Sequence, residues 1–261
     1  RDWVSLQLLP NRGDEIQQSF LRSVNDLLQS SNLVVLTGLG PSLCVKVDGD
    51  RAAPTMGDLW KDVSAREDFS KLLEAVNHPQ KDDGPVKDIE LLLSHCQLAE
   101  LLHPNPLVTN FIKDAEAIIV KRCRFITSKT DLSIHEQFLR KTARRSTRHP
   151  RMKLFTTNYD LCFETAAGRS RFTVVDGFSH THPQEFDGSH FDYDLVRRSA
   201  TRETPDYIPN VFHLYKIHGS VDWTLDAEHQ SIQREADTET PHLIYPRHTK
   251  YESSYNQPFL E

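Results

Sequence analysis

The 261-residue chain has few cysteines, no long apolar run and no excess of basic charge. Its 4 cysteines, Cys44, Cys96, Cys123 and Cys162, stand singly, with no C-x-x-C pair. Neither a zinc ribbon nor a disulfide framework is written into that spacing, and a reducing, cytoplasmic setting fits it best. No apolar run is longer than Leu33–Leu36, far short of the roughly 20 residues a membrane-spanning helix requires. Lys and Arg number 31 against 37 Asp and Glu, a formal net charge of −6. A net-acidic surface repels a phosphate backbone at long range, so bulk charge does not suggest nucleic acid. No period of about 20 to 50 residues repeats, which excludes a solenoid. No charged-then-apolar leader follows Arg1, and Pro258-Phe259-Leu260-Glu261 carries no helix-ending signal; the chain reads as a piece of something longer.

With 38% hydrophobic and 26% charged residues, the chain can build one large domain, or a core plus a smaller unit, and is not disordered. Ile16, Phe20, Val24, Leu27 and Leu28 recur at helical spacing between Asp14 and Leu28, which predicts an amphipathic helix. Leu33-Val34-Val35-Leu36-Thr37 then reads as a buried strand closed by Gly38-Leu39-Gly40. Between Met56 and His149 the periodicity is helical, with a polar loop at Gln80-Lys81-Asp82-Asp83-Gly84-Pro85. Strand signals return at Lys153–Thr157, followed by a helix over 161–167, then at Val211–Ile217 and at His242–Tyr245. These elements predict an α/β fold, a Rossmann-like parallel sheet with an inserted helical subdomain. The expected divisions are 1–55 for the first helix and the start of the core, 56–150 for the helical insert, and 151–261 for the rest of the core.

Three constellations carry chemistry. Thr37-Gly38-Leu39-Gly40-Pro41-Ser42 follows a buried strand, where glycines allow close backbone approach and amides can point at a phosphate; an ordinary strand-to-helix turn uses similar residues. Thr156-Thr157-Asn158-Tyr159-Asp160 lies at a strand's carboxyl end, where an amide and a carboxylate can hold a ribose and orient a water. The competing interpretation is an Asx turn or N-cap for the helix that follows. Lys216-Ile217-His218-Gly219-Ser220-Val221-Asp222-Trp223 places a histidine on a turn, with a pKa suited to general-base work. Two other groups read as structural. His180, His182 and His190 near Asp187 lack regular ligand spacing. The basic residues from Arg140 to Lys153 read as a solvated helix face and its exit loop, since aromatic interleaving is absent.

In this order, a glycine loop, T-x-N-x-D and H-G with a helical insert between the first two, the chain resembles the sirtuin family from about Asn32 to Tyr251. The resemblance implies NAD bound at Gly38, Gly40 and Ser42, with Thr37, Leu39, Thr157, Gly219 and Ser220 lining its site. It also implies a nicotinamide ribose held by Asn158 and Asp160, and His218 as base. Two departures stand out. Protein-deacylating sirtuins carry two C-x-x-C zinc pairs after H-G, whereas no cysteine lies between Gly219 and Glu261, so no zinc is expected. The family's proline-aspartate-phenylalanine-arginine stretch is replaced by Pro54-Thr55-Met56-Gly57-Asp58-Leu59-Trp60.

Those replacements, with Gly177-Phe178-Ser179, His218 to Trp223, and Leu243-Ile244-Tyr245-Pro246 with Lys250-Tyr251, resemble the sirtuin-like effectors of bacterial antiphage systems, in particular the subunit that partners a HerA-type ATPase. That resemblance implies an NAD hydrolase that forms a homo-oligomer. With no zinc lobe water is the natural acceptor, and because an always-active cytoplasmic NAD hydrolase would be toxic, gating by oligomerisation or by a partner is expected. The group's further glycine- and aromatic-containing motif is not found before Glu261. Alternatives are an NAD-dependent protein deacylase, a non-catalytic NAD or ADP-ribose sensor, and a scaffold for an ATPase. The missing zinc cysteines argue against the first; Asn158, Asp160 and His218 argue against the others.

Overall fold

The computed structural model describes residues 13–198, 205–247 and 258–259. Helix α1 (Gly13–Gln29) leads to β1 (Val34–Thr37), the short α2 (Leu39–Leu43) and a small hairpin of β2 (Lys46–Val47) and β3 (Asp50–Arg51). Five helices follow: α3 (Met56–Val63), α4 (Phe69–Ala75), α5 (Ile89–Leu102), α6 (Pro106–Cys123) and α7 (Ser133–Thr142). Between α4 and α5 lies a hairpin of β4 (Gln80–Lys81) and β5 (Gly84–Pro85). The second half runs β6 (Met152–Thr156), α8 (Cys162–Ser170), β7 (Thr173–Val175), β8 (Val196–Arg197), β9 (Asp206–Tyr207), β10 (Val211–Lys216), β11 (Trp223–Asp226) and β12 (Ser231–Arg234).

The central sheet has the order β1-β6-β10-β7, and every neighbouring pair is parallel. This is a Rossmann-like α/β arrangement. Strand alternation sorts its side chains into two faces. Met152, Leu154, Phe212 and Leu214 pack against Leu139, Ala143, Cys162, Phe163, Ala166 and Ala167, so α7 and α8 close one face. On the other face Phe155 stacks on Tyr215 at 4.4 Å, and Phe191, from the 3-10 turn Gly188–Asp192, stacks on Tyr215 at 4.1 Å. Val34 and Leu36 of β1 belong to that second face and are exposed, so β1 is not the buried strand its apolar run predicts: it lies at the end of the β1-β6-β10-β7 order, open on one face.

The helices between β1 and β6 carry an apolar core of their own, with Leu59, Trp60, Leu72, Ile89, Leu92, Leu93, Phe111 and Ile119 buried together. Their start points are written locally. Thr55 and Asp58 form a capping box for α3, Asp88 accepts from Leu91 N–H at the head of α5, and Asn105 accepts from Leu107 N–H with Pro106 opening α6. Each supplies acceptors for amides that lack a partner within the helix.

Two further expectations need correction. His242–Tyr245 is not a strand: Leu243 makes an isolated bridge with Gly219, and the amides of His242 and Ile244 donate to Trp223 and His218 carbonyls, so loop turns capture the segment. Gln80–Pro85 is a tight hairpin, not a loop, with Asp82-Asp83 at its tip. The basic stretch serves structure at several positions: Arg140 pairs with Glu136, Arg151 with Asp194, and Arg145 donates to the Leu28, Ser30 and Ser31 carbonyls that close α1. Lys250-Tyr251 lies outside the described residues.

Candidate functional site

In the parallel register Thr37 is level with Thr156, and Thr156 with Lys216. The three sequence motifs therefore leave the sheet along one edge, where open parallel sheets place their ligands. Thr157 N–H donates to Thr37 O at 3.2 Å and Ile217 N–H to Thr156 O at 3.0 Å, which laces the exits together. Thr37 Oγ1 also donates across, to Phe155 O at 3.3 Å.

Two of the motifs interlock. Ser42, fully buried on α2, donates its hydroxyl hydrogen to Asp160 Oδ2 at 2.6 Å and accepts from Asn158 Nδ2 at 2.8 Å. Both loops are thereby fixed, and the orientation of the Asn158 carboxamide is set with its nitrogen on Ser42. Its Oδ1 accepts no hydrogen bond among the described residues and is the acceptor available to a ligand. The Asp160 carboxylate serves structure at both oxygens, because Oδ1 accepts Cys162 N–H at 3.0 Å in an Asx turn that opens α8. The structural interpretation of T-x-N-x-D is thus present at Asp160, alongside a free acceptor at Asn158.

Ser42, Leu39, Thr157, Asn158 and Asp160 line a cavity of about 200 Å³ whose remaining wall includes Ala53, Pro54, Met56, Leu59, Ile119, Phe125 and Pro246. The helical unit supplies much of the apolar wall and the strand exits supply the polar groups. Ligand cavities usually run to about 300–1,000 Å³, so this one holds a single ring and its linkage, not a whole dinucleotide. Cys123 also lines it, but burial pushes its thiol up to about 12, which removes the thiolate that nucleophilic catalysis needs. A Cβ on Gly40 would meet nothing within 4 Å, so space is open beside Gly40, whereas one on Gly38 would touch Thr157 Oγ1 at 3.4 Å.

Thr37, Gly38, Gly40, His218, Gly219 and Ser220 do not line this cavity. His218 is half-buried just beyond the Ile217 amide that bonds Thr156, and its carbonyl accepts Ile244 N–H at 2.9 Å. Gly219 adopts φ +84°, and a Cβ there would sit 2.3 Å from His242 O; only glycine allows that approach. Ser220 is fully buried, with its hydroxyl 3.5 Å from Tyr159 O. Gly219 and Ser220 thus seat the turn that presents His218.

Sequence reading missed what lies beneath this edge. Lys216 Nζ donates to Asp160 O at 2.5 Å, Tyr159 O at 3.3 Å and Glu164 Oε1 at 3.0 Å. Burial opposes its charge, but Glu164, Asp222 and Asp160 outweigh that and hold the ammonium protonated above its ordinary range. Arg234 continues the network to Asp222 and Asp176. The signal was available: Phe212, Leu214 and Lys216 share one face of a buried strand, and a charge at a core position demands partners. Tyr159 was missed too; its hydroxyl donates to Ile244 O at 2.6 Å, and its ring packs on the helical core.

Among the described residues no group of three or more His, Cys, Asp or Glu side chains converges as a metal site. His190 Nδ1 lies 2.9 Å from Gly177 O, and Asp187 caps the 3-10 turn. No described helix is long and apolar enough to cross a membrane. The family model of the SIR2-like domain matches residues 152–260, a stretch that begins at β6 and holds the T-x-N-x-D and H-G motifs but not the glycine loop or the helical unit. No curated protein matches the chain. SIR2-like domains use NAD, so this similarity supports an NAD-related activity.

Proposed function

We propose that the chain hydrolyses NAD to nicotinamide and ADP-ribose. The observation that carries this reading is the interlock of Asn158, Ser42 and Asp160 over a ring-sized cavity at the sheet edge from which His218 also emerges. In this reading the pyrophosphate lies over Gly38–Ser42 and the nicotinamide ribose between Asn158 and His218.

The bond from the ribosyl C1′ to the nicotinamide nitrogen breaks, and its electron pair neutralises the pyridinium. Water oxygen bonds to C1′ and gives up a proton. Oxocarbenium character builds as the bond opens, so groups that align ribose and water matter more than a strong nucleophile. Asn158 Oδ1 aligns the water or a ribose hydroxyl, and His218 accepts the proton. Ser42 and Asp160 hold Asn158 in place. Cys123, with its thiol protonated, takes no part.

The proposal extends to setting: an NAD-depleting antiphage effector in the cytoplasm, assembled as a homo-oligomer and gated by a HerA-type ATPase. The resemblance of the motifs supports this. The chain would be incubated with NAD, with and without the co-expressed ATPase, and nicotinamide and ADP-ribose separated by chromatography. Asn158→Ala and His218→Ala are each expected to lower turnover by about 10² or more with circular dichroism unchanged. Near-normal NAD loss in either variant would sink the assignment. One observation favours a second reading: Ser42 and Asp160 satisfy each other through a direct hydrogen bond, as a rigid sensor would also require. NAD or ADP-ribose binding without turnover under either condition would establish that reading instead.

A further inference from the structure

The last residue of β10 is a lysine on the core side of its strand, two positions beyond Leu214 and with only 3% of its side chain exposed. A buried ammonium is unfavourable unless each of its three N–H groups finds an acceptor. Lys216 finds three: the carbonyls of Tyr159 and Asp160 and the carboxylate of Glu164. Two belong to the T-x-N-x-D turn, and the third lies on α8, the helix that this turn opens.

We propose that Lys216 is a positioning residue, a clamp that fixes the Asn158–Asp160 turn to the strand whose exit presents His218. Its effect on turnover rests on the NAD-hydrolase reading; its effect on the turn does not. Backbone bonds also join these segments, from Ile217 N–H to Thr156 O and from Val221 N–H to Tyr159 O, each at 3.0 Å. Lys216 ties the same two segments through its side chain. A shift of the turn would carry Asn158 away from Ser42 and from the strand end at once.

Stability alone does not account for this choice. Replacing a buried ion pair with apolar groups of similar size is often neutral or stabilising, whereas a charge that fixes register is a well-attested use of one. The surroundings fit a fixed charge. Glu164 pairs with Lys216 at 3.0 Å, the charges of Asp222 and Asp160 also favour the ammonium, and Arg234 pairs with Asp222 at 3.1 Å and with Asp176 at 2.8 Å. The Tyr159 ring adds a lever, because it packs against the core of the helical unit; the clamp therefore also holds the helical unit's contact with the turn.

The test compares Lys216→Met, Lys216→Arg and Glu164→Gln with the unaltered chain by amide hydrogen exchange. Exchange in the peptide spanning Thr157–Leu161 is expected to accelerate about tenfold or more in Lys216→Met, while amides of α5 and α6 exchange as before. Lys216→Arg restores most of the protection. Turnover per titrated NAD-binding site falls about tenfold or more in Lys216→Met, with NAD affinity within about threefold. Unchanged exchange in the Thr157–Leu161 peptide overturns the proposal, as does acceleration spread evenly over all elements, which marks a purely structural ion pair. If Lys216→Met does not fold, Glu164→Gln carries the test, because it keeps shape and an acceptor. A local rise of about threefold is expected there, and no rise overturns the clamp. Absence of NAD turnover in the unaltered chain would end the hydrolase reading and leave the exchange measurement to decide the clamp.

Discussion

The core of the helical unit is largely apolar, with Leu92, Leu93 and Cys96 fully buried beside Phe111 and Ile119 and His78 a buried polar neighbour of Trp60, whereas the seam beneath the strand ends is built from Lys216, Glu164, Asp222, Arg234 and backbone carbonyls. Apolar packing is non-directional and tolerates swaps of similar volume. A hydrogen-bonded ionic seam has few permitted geometries, and each lost partner leaves a buried charge or carbonyl unsatisfied. The helical unit therefore supplies stability and cavity wall, and the seam supplies position. They meet at Tyr159 and at Arg124, whose guanidinium, just past the end of α6, donates to Val221 O at 2.7 Å and Thr238 O at 2.5 Å.

The separation is tested most severely by cutting into the apolar side. Leu92→Ala is expected to destabilise the fold by about 2–5 kcal/mol, the usual range for a fully buried leucine, while turnover per folded, NAD-binding site stays within about twofold of normal. Urea unfolding with titration of binding sites measures both. A loss of turnover per site would mean that the two regions are mechanically one.

A change on the seam should show the opposite pattern. Gly219→Ala places a methyl group against His242 O and forces a side chain into positive φ, which costs about 1–3 kcal/mol. Its effect on turnover should exceed its effect on stability, because the displaced turn carries His218. Equal losses in the two measurements would count against a positioning role for this turn. Arg124→Met tests the junction and is expected to lower stability by about 1.5–3 kcal/mol, since two carbonyls lose a charged donor.

How much of this was legible in the sequence follows from the range of each interaction. The strand β1 announces itself through a short apolar run and β6 and β10 through strand-forming residues, and the polar motifs at their ends are local too, so the sheet edge is readable from neighbours in the chain. Ser42 and Asp160 lie 118 positions apart, and only the parallel register of β1 and β6 brings them together; no local pattern could assign that bond. Lys216 stands at a core position by its period-2 placement beside Phe212 and Leu214, but its partners lie 52–57 positions away, beyond any local pattern. His242–Tyr245 has strand composition, yet Gly219 and the carbonyls of His218 and Trp223 take its hydrogen bonds, a case of tertiary context overriding propensity. The Thr55–Trp60 stretch was read through resemblance, although T-x-x-D before an apolar run is also a capping signature. The structure shows that it opens α3 while Met56 and Leu59 line the cavity.

That capping box gives the smallest expected effect and a test on the helical side that is polar instead of apolar. Thr55 Oγ1 accepts from Asp58 N–H at 3.2 Å, and Asp58 Oδ2 accepts from Thr55 N–H at 2.8 Å. The Thr55 backbone hydrogen bond, then its hydroxyl, then Arg51 and Arg122 hold the Asp58 carboxyl below its ordinary value of 3.8. A carboxyl lowered in the folded state stabilises above its unfolded pKa, and that contribution is lost as pH falls through the folded value. Thr55→Ala should cost about 1 kcal/mol near neutral pH. The gap in unfolding temperature between the unaltered chain and Asp58→Asn should hold from about pH 7 to pH 5 and narrow as pH falls below about 4. A gap that stayed constant into acid would show that the carboxylate charge contributes nothing here, and that the helix start is held by shape and packing like the rest of the helical unit.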